Sequence, residues 1–317
     1  MGTNIRPSGM STYFGQREAK EKLQMMIDVY KKTNKVPEPI LLTAKPGFGK
    51  TSLARAFAND MGVDYIEAFS PMLRKEEDVF DLLKNKGSGI KRGTTIFLDE
   101  AHALSPVAQL LLLPILEDGK LQHGNRTYDF PDWCIILATT NPGLLSKPLY
   151  ERMVNKIHLK DYTVSELEQI GEASSSKLGL KISDCVLNKL GEISFGTPRL
   201  MNAFIKALSN YTVAKGIDTF GYQHLDKFLH FYGVDKLGLS ISDYAYLRCL
   251  YTNVQNGVRV PTGIRNIMKK TGLTNDEIDN IVEPKLLSLN LIGLSGRGRV
   301  LLDEGVEYTR NNVISHQ

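Results

Sequence analysis

Cysteine is scarce. The three in this chain, Cys134, Cys185 and Cys249, lie too far apart for the paired spacing of a metal or redox motif. An odd, scattered set suits a reducing cytosol, so a cytoplasmic location is expected. The six histidines form no ligand pattern either. No apolar run approaches the roughly 18 residues of a membrane span, which excludes a helical membrane protein. Residues 1–12 are polar, carry Gly and Pro and hold no apolar signal core, so a short flexible arm is expected there. Arg6 stands where a myristoylation signal at Gly2 would need Ser or Thr. Long repeats and low-complexity tracts are missing. So is a strong charge bias: 39 basic against 35 acidic residues leave a net charge of +4. That imbalance does not demand a polyanionic partner, but it permits one where basic residues cluster.

What is present is ordinary globular material, 42% hydrophobic and 23% charged, and 317 residues suffice for two or three domains. The organising stretch is 41–53, Leu-Leu-Thr-Ala-Lys-Pro-Gly-Phe-Gly-Lys-Thr-Ser-Leu. An apolar run ends in a glycine-bearing turn that opens a helix, the strand–loop–helix layout of a phosphate-binding P-loop. Gly47 and Gly49 let backbone wrap phosphate oxygens, with the loop N–H groups and the helix N-terminus supplying positive potential. Lys50 adds a cation for the outer phosphates, and the Thr51 hydroxyl is placed to ligate Mg²⁺. The motif wants Gly at its first position, and this chain has Ala44. Alanine resists positive φ, so phosphate binding requires position 44 to lie in an ordinary backbone region.

The second decisive stretch is 94–102, Thr-Thr-Ile-Phe-Leu-Asp-Glu-Ala-His. It reads as a buried strand with two carboxylates at its C-terminal end, where α/β sheets bind ligands. Asp99 would hold Mg²⁺ through water and Glu100 would polarise the attacking water. A further strand, 133–140, ends in Thr139-Thr140-Asn141-Pro142, whose polar side chains can orient water or touch a γ-phosphate.

Other elements follow from periodicity and punctuation. Ala19, Leu23, Met26, Ile27 and Tyr30 mark an early helix. Strands are expected at 40–43, 64–68 and 155–159, and helices at 50–61 and 76–83, the latter broken by Gly87-Ser88-Gly89. Ser105-Pro106 starts a helix that Pro114 should kink or end early. Residues 117–133 read as a short polar hairpin or loop. Alternating strands and helices imply an α/β domain with a parallel sheet covered on both faces. From Tyr162 the pattern is helical, with Ser165 and Glu168 as a capping box. Thr197-Pro198 starts a helix that buries Leu200, Met201, Phe204, Ile205, Leu208 and Tyr211, and Arg199 in its first turn opposes the helix dipole, a hint of an anionic ligand. From about 238 a third unit is expected: a helix from Ser242 to Gly257, a second at 264–271, a third opened by a Thr274/Glu277 capping box, then a hairpin carrying Arg297 and Arg299. That is a winged helix, with Lys269, Lys270 and Lys285 adding positive charge and the two arginines placed to contact nucleic-acid phosphates.

Together these pieces resemble an AAA+ ATPase, and most closely the RuvB family of Holliday-junction branch-migration motors. Tyr13-Phe14-Gly15-Gln16 resembles the family's adenine-side entry motif. Residues 46–52, Pro-Gly-Phe-Gly-Lys-Thr-Ser, resemble its Walker A, and Asp99-Glu100-Ala101-His102 its Walker B. Ala138-Thr139-Thr140 matches the sensor 1 strand, the segment ending in Arg152 matches the arginine finger, and Gly196-Thr197-Pro198-Arg199 matches sensor 2. Glu283-Pro284 and Arg297-Gly298-Arg299 match the winged-helix segment. The resemblance implies a large ATPase domain (1–161), a helical lid (162–237) and a DNA-binding winged helix (238–317). It implies ATP and Mg²⁺ as ligands, branched or duplex DNA as partner, no membrane, and a hexameric ring in which Arg152 reaches the γ-phosphate of the neighbouring protomer while Arg199 reaches that of its own.

Departures from the family pattern carry expectations too. Asn141 and Tyr150 stand where the family has arginine, although other AAA+ proteins use Asn as sensor 1. The 117–133 segment is several residues shorter than the family hairpin that docks RuvA, so a standard RuvA partner is not expected. This fits a divergent, mobile-element or viral version. A loader or switch that places a clamp or helicase on DNA is the competing reading. A winged-helix scaffold with a dead nucleotide site is a third, disfavoured by the intact Lys50, Asp99, Glu100 and Arg152.

Overall fold

A computed structural model of the chain describes residues 5–84, 89–123, 125–255 and 258–314. The expected breaks at Gly87, Ser88 and Gly257, and the first residues of the N-terminal arm, lie outside them. Two compact units are present: Met1–Ile170 with Thr197–Arg199, and Gly171–Gly196 with Leu200–Gln317.

In chain order the first unit runs α1 (Arg17–Thr33), β1 (Ile40–Thr43), α2 (Lys50–Met61), β2 (Tyr65–Phe69), α3 (Glu76–Lys84), β3 (Thr95–Asp99), α4 (Pro106–Asp118), β4 (Lys120–His123), β5 (Arg126–Asp129), β6 (Cys134–Thr139), α5 (Lys147–Arg152) and β7 (Asn155–His158). Five strands make a parallel sheet in the order β2-β3-β6-β1-β7. Parallel strands need both faces covered, and the strand sequences show it: every residue of β6 is buried, as are Ile40, Leu41 and Leu42 of β1. Leu41, Leu98 and Leu137 belong to a core that includes Leu112 and Ile115 of α4. Because all five strands run the same way, the loops after β1, β3 and β6 emerge at one sheet edge, and that edge carries the candidate chemistry.

Two expectations about helix boundaries need correction here. Of the two outcomes expected of Pro114, an early end is not the one seen: α4 continues to Asp118 and is capped by Gly119 at φ 65°. Proline inside a helix costs about 3 kcal/mol. Burying Leu112 and Ile115 on either side offsets this, since one such side chain contributes about 1.5–3 kcal/mol. The capping box after β7 uses Thr163 and Glu166, two residues before the expected pair. The Thr163 N–H donates to Glu166 Oε2 at 2.9 Å, and the Glu166 N–H to Thr163 Oγ1 at 3.2 Å. These open α6 (Val164–Lys177).

The second unit is helical at first, with α7 (Asp184–Glu192), most of α8 (Pro198–Lys215) and α9 (Leu225–Tyr232). On α8 Met201, Phe204, Ile205, Leu208 and Tyr211 are buried as expected, whereas Leu200 is only half-buried. A three-helix cluster with a hairpin follows: α10 (Ile241–Tyr251), the pair β8 (Val254–Gln255) and β9 (Val258–Arg259), α11 (Ile264–Thr271), a turn α12 (Asn275–Glu277) that continues into α13 (Glu283–Ser288), and the wing strands β10 (Ile292–Ser295) and β11 (Gly298–Leu301). A last helix, α14 (Asp303–Tyr308), packs behind β11. Thr274 and Glu277 form the expected capping box. The helix expected to reach Gly257 stops at Tyr251, and the chain turns into the β8–β9 hairpin, which its valines favour. Lys285 is not surface charge: it is an ion-pair partner of fully buried Asp243.

Candidate nucleotide site and winged-helix surface

The loop between β1 and α2 has the backbone its glycines foretold. Gly47 lies at φ 83° and Gly49 at φ 88°, a region only glycine enters cheaply. A Cβ on Gly49 would also sit 2.9 Å from Tyr13 Oη. Ala44 is not among the positive-φ residues, so the replaced glycine is tolerated there. The Ala44 N–H donates to the Thr139 carbonyl at 3.3 Å, tying the loop to β6. The Ala44 carbonyl accepts from Lys50 Nζ at 3.0 Å, and the Lys45 carbonyl from the same ammonium at 3.3 Å. Lys50 is only 6% exposed. Burial pulls its ammonium below the usual lysine range, Glu100 and Asp99 push back, and Arg199 adds to the lowering. An ammonium bonded, among the described residues, to two carbonyls alone, with carboxylates near, is poised to accept an anion.

Asp99 ends β3, and its Oδ2 accepts from Thr51 Oγ1 at 3.5 Å while its Oδ1 accepts from the Glu100 N–H at 3.0 Å. Hydroxyl and carboxylate therefore face each other across α2 and β3, as a divalent cation needs. Among the described residues no group of three or more His, Cys, Asp or Glu forms a metal cage. Such a cation would draw its remaining ligands from phosphate oxygens and water, which is how Mg²⁺ is usually held beside nucleotides. Glu100 takes a left-handed φ of 52°. His102 lies behind it, with Nδ1 3.4 Å from Glu100 Oε2 and 3.0 Å from Thr139 Oγ1. Thr139 Oγ1 also accepts the Asn141 N–H at 3.0 Å. Thr140 is half-buried and Asn141 exposed at the tip of β6.

Tyr13 is buried, and its hydroxyl lies 2.8 Å from that of Tyr162. Burial raises both phenols well above their ordinary range, Tyr162 to about 12, so both keep their protons. Tyr162 donates to the Phe48 carbonyl at 3.2 Å, which leaves Tyr13 as the donor to Tyr162. Phe48 is buried edge-on to Tyr162, so within the loop it is scaffold. Phe14 is half-buried, Pro46 exposed and Ser52 half-buried at the start of α2. The Arg199 N–H donates to the Gly47 carbonyl at 3.3 Å, and its side chain is exposed.

Sequence reasoning overlooked three residues here. Tyr162 carries no signal in the sequence beyond following a strand. His102 closes the 99–102 motif with no role that the motif assigns. Glu117 opens the segment expected as a hairpin or loop, yet it is the ion-pair partner of Arg152, whose Nη1 also donates to the Pro148 carbonyl at 3.0 Å.

In the second unit the two wing arginines differ. Arg297 is exposed at the hairpin tip. Arg299 turns inward: its Nε donates to Glu283 Oε1 at 2.7 Å and its Nη2 to Oε2 at 3.3 Å. Glu283 is 4% exposed and also accepts from Tyr246 Oη at 2.6 Å. That carboxylate raises the Arg299 pKa. Gly298, at φ 137°, admits the Thr262 backbone, whose carbonyl would lie 2.5 Å from an added Cβ. Thr262 and Arg299 then exchange backbone hydrogen bonds of 2.8 and 3.0 Å, fastening the wing to the residues before α11.

Comparison with known proteins agrees with both halves of this geometry. Residues 5–159 match the family model of the Holliday junction DNA helicase RuvB P-loop domain, and residues 236–310 that of the RuvB C-terminal winged helix domain. The Holliday junction branch migration complex subunit RuvB of Kosmotoga olearia is 30% identical over 304 residues, 93% of this chain and 87% of that protein. Its counterpart in Campylobacter concisus is 30% identical over 305 residues, 94% and 88% of the two chains. The solved Thermotoga maritima RuvB Holliday junction branch migration motor superimposes with a TM-score of 0.83 at 26% identity, covering 98% of this chain and 99% of that one. The chain belongs to the RuvB family.

Proposed function

We propose that this chain is an ATP-driven DNA motor that migrates Holliday-junction branches. The observation that carries the reading is the meeting, at one sheet edge, of Lys50, Thr51, Asp99, Glu100 and Asn141 in a chain of this family. Lys50 leaves two carbonyls for the outer phosphates, and Gly47 and Gly49 admit the phosphate chain to the loop. Thr51 and Asp99 hold Mg²⁺, which supplies charge neutralisation at the phosphate oxygens. Glu100 orients the attacking water, Thr140 and Asn141 sense the terminal phosphate, and Arg199 reaches it from the first turn of α8. Tyr13 and Phe14 line the base side. Arg152 completes the site of a neighbouring copy in a ring of six, so hydrolysis depends on assembly.

The same reading divides the chain into an ATPase domain (1–161), a lid (162–237) and a winged helix (238–317), the last two moved by the nucleotide cycle and gripping DNA through Arg297. The 117–133 hairpin, with only four residues in each strand, favours a partner other than a standard RuvA. The free cysteines Cys134, Cys185 and Cys249 suit the cytoplasm; among the described residues no helix is long and apolar enough to cross a membrane.

The test is ATPase activity of the pure protein with no DNA, with duplex and with a four-way junction. Turnover stimulated by the junction, with strand exchange, supports the motor. Turnover that appears only with a clamp or helicase present supports a loader instead.

A further inference from the structure

The geometry points to His102 as a positioning residue that ties the water-orienting Glu100 to the strand that reads the terminal phosphate. It rests on the function proposed above and adds a residue to it.

Three contacts make the link. His102 Nδ1 is 3.4 Å from Glu100 Oε2 and 3.0 Å from Thr139 Oγ1. Thr139 Oγ1 in turn accepts the Asn141 N–H at 3.0 Å. A side chain on the turn after β3 thus bridges to the last residue of β6, and through it to the backbone of the candidate sensor.

The Thr139 hydroxyl serves either ring form, so the neighbouring carboxylate selects the tautomer. A carboxylate oxygen is an acceptor only, so an unprotonated Nδ1 would set its lone pair against that of Glu100. With the proton on Nδ1, the N–H donates to the Thr139 oxygen, and the carboxylate 3.4 Å away favours a proton at that nitrogen electrostatically. Neither partner is a loose surface group: Thr139 is fully buried, and the His102 and Glu100 side chains are 24% and 34% exposed.

The consequence concerns Glu100. It leaves β3 at a left-handed φ of 52°, and among the described contacts its carboxylate has only His102 as a neighbour within ion-pair range. A glutamate with three side-chain torsions has many rotamers, and water activation needs one of them. His102 restricts that choice and registers it to β6. Movement of Thr140 and Asn141 on meeting a phosphate is then transmitted to the carboxylate through Thr139 and the ring.

The test uses the full chain. In long-range ¹H–¹⁵N spectra of ¹⁵N-histidine protein without nucleotide, the ring signal lost in His102→Gln should show the Nδ1-protonated tautomer. Thr139→Val should shift it. A signal with the proton on Nε2, or one indifferent to Thr139→Val, overturns the proposal without any reference to ATP. In steady-state assays His102→Ala should lower kcat about 10- to 100-fold, the cost of a misplaced catalytic group. KM and the affinity for a fluorescent ATP analogue should stay within about twofold. Asparagine presents its amide where Nδ1 lies and glutamine where Nε2 lies, so His102→Asn should recover most of the rate and His102→Gln little of it. Equal rates for the two, or an unchanged His102→Ala, sinks the positioning role. Absence of ATPase in the unmodified protein would instead sink the underlying function, while the spectral result would still stand or fall by itself.

Discussion

Arg152 rests on Glu117 of its own chain. The guanidinium at the end of α5 is paired with a carboxylate in the last turn of α4, and Pro148 holds its other nitrogen at 3.0 Å. An arginine that must reach a neighbouring copy has to leave this pair. If Arg152 acts as the proposed finger, Glu117→Gln should lower the protein concentration at which ATPase activity reaches half its maximum, because the arginine no longer exchanges one ion pair for another. Arg152→Ala should reduce turnover by about 10³-fold or more with nucleotide binding intact. The check is ATPase rate against protein concentration for the three proteins. A Glu117→Gln curve superimposed on wild type refutes the parked-finger account.

Ala44 predicts an outcome opposite to intuition from the motif. Restoring the expected glycine should not improve binding, because position 44 has no positive φ to relieve and its N–H and C=O already bond Thr139 and Lys50. Ala44→Gly should leave ATP affinity within about twofold. It should lower stability by about 0.4–1 kcal/mol through the freer unfolded chain. Calorimetric titration and thermal melts measure the two effects separately.

Lys50 is a cost to the nucleotide-free fold. Burial is the main cause of its lowered pKa. In the window between that lowered value and the ordinary 10.5 the unfolded chain binds more protons than the native one, so this group makes stability rise with pH there and be lowest below the window. Lys50→Met keeps the stem and removes the charge. It should raise the melting temperature at pH 7 by a few degrees, on the scale of about 2–4 °C per kcal/mol for domains of this size. It should also abolish the further rise expected of wild type with ATP and Mg²⁺. A melting temperature below that of wild type contradicts the account of the buried ammonium.

The sheet and its chemical edge were legible because they rest on local patterns. Gly47 and Gly49 flanked by an apolar run and Lys50-Thr51 can hardly serve another backbone, and Ile96-Phe97-Leu98 before Asp99-Glu100 marks a central strand wherever it occurs. The misread elements depend on partners distant in sequence. Pro114 is tolerated because Leu112 and Ile115 meet a core built from other segments. Lys285 and Arg299 read as surface charge because Asp243 and Glu283, only 0% and 4% exposed, sit 42 and 16 residues away. Periodicity reports which face of a helix is wet. It does not report which charge has a buried counterpart across the fold.

The wing tests that distinction directly. Arg297 is exposed and carries the proposed phosphate contact, so Arg297→Ala should weaken binding to all DNA sequences alike and reduce the salt slope, −dlogK/dlog[salt], by about 1. Arg299 is held by the buried Glu283, and removing it leaves that carboxylate unpaired, a loss of about 3–5 kcal/mol for a broken buried pair. Arg299→Ala should thus melt the winged helix before it affects DNA. The double variant Arg299→Met with Glu283→Leu removes both charges and keeps apolar bulk, but takes the acceptor from the buried Tyr246 hydroxyl, so it should recover part of the lost stability with the salt slope unchanged from wild type. Thermal melts and salt-dependent DNA titrations of the three proteins decide it. A reduced salt slope in a fully folded double variant would return Arg299 to the DNA surface.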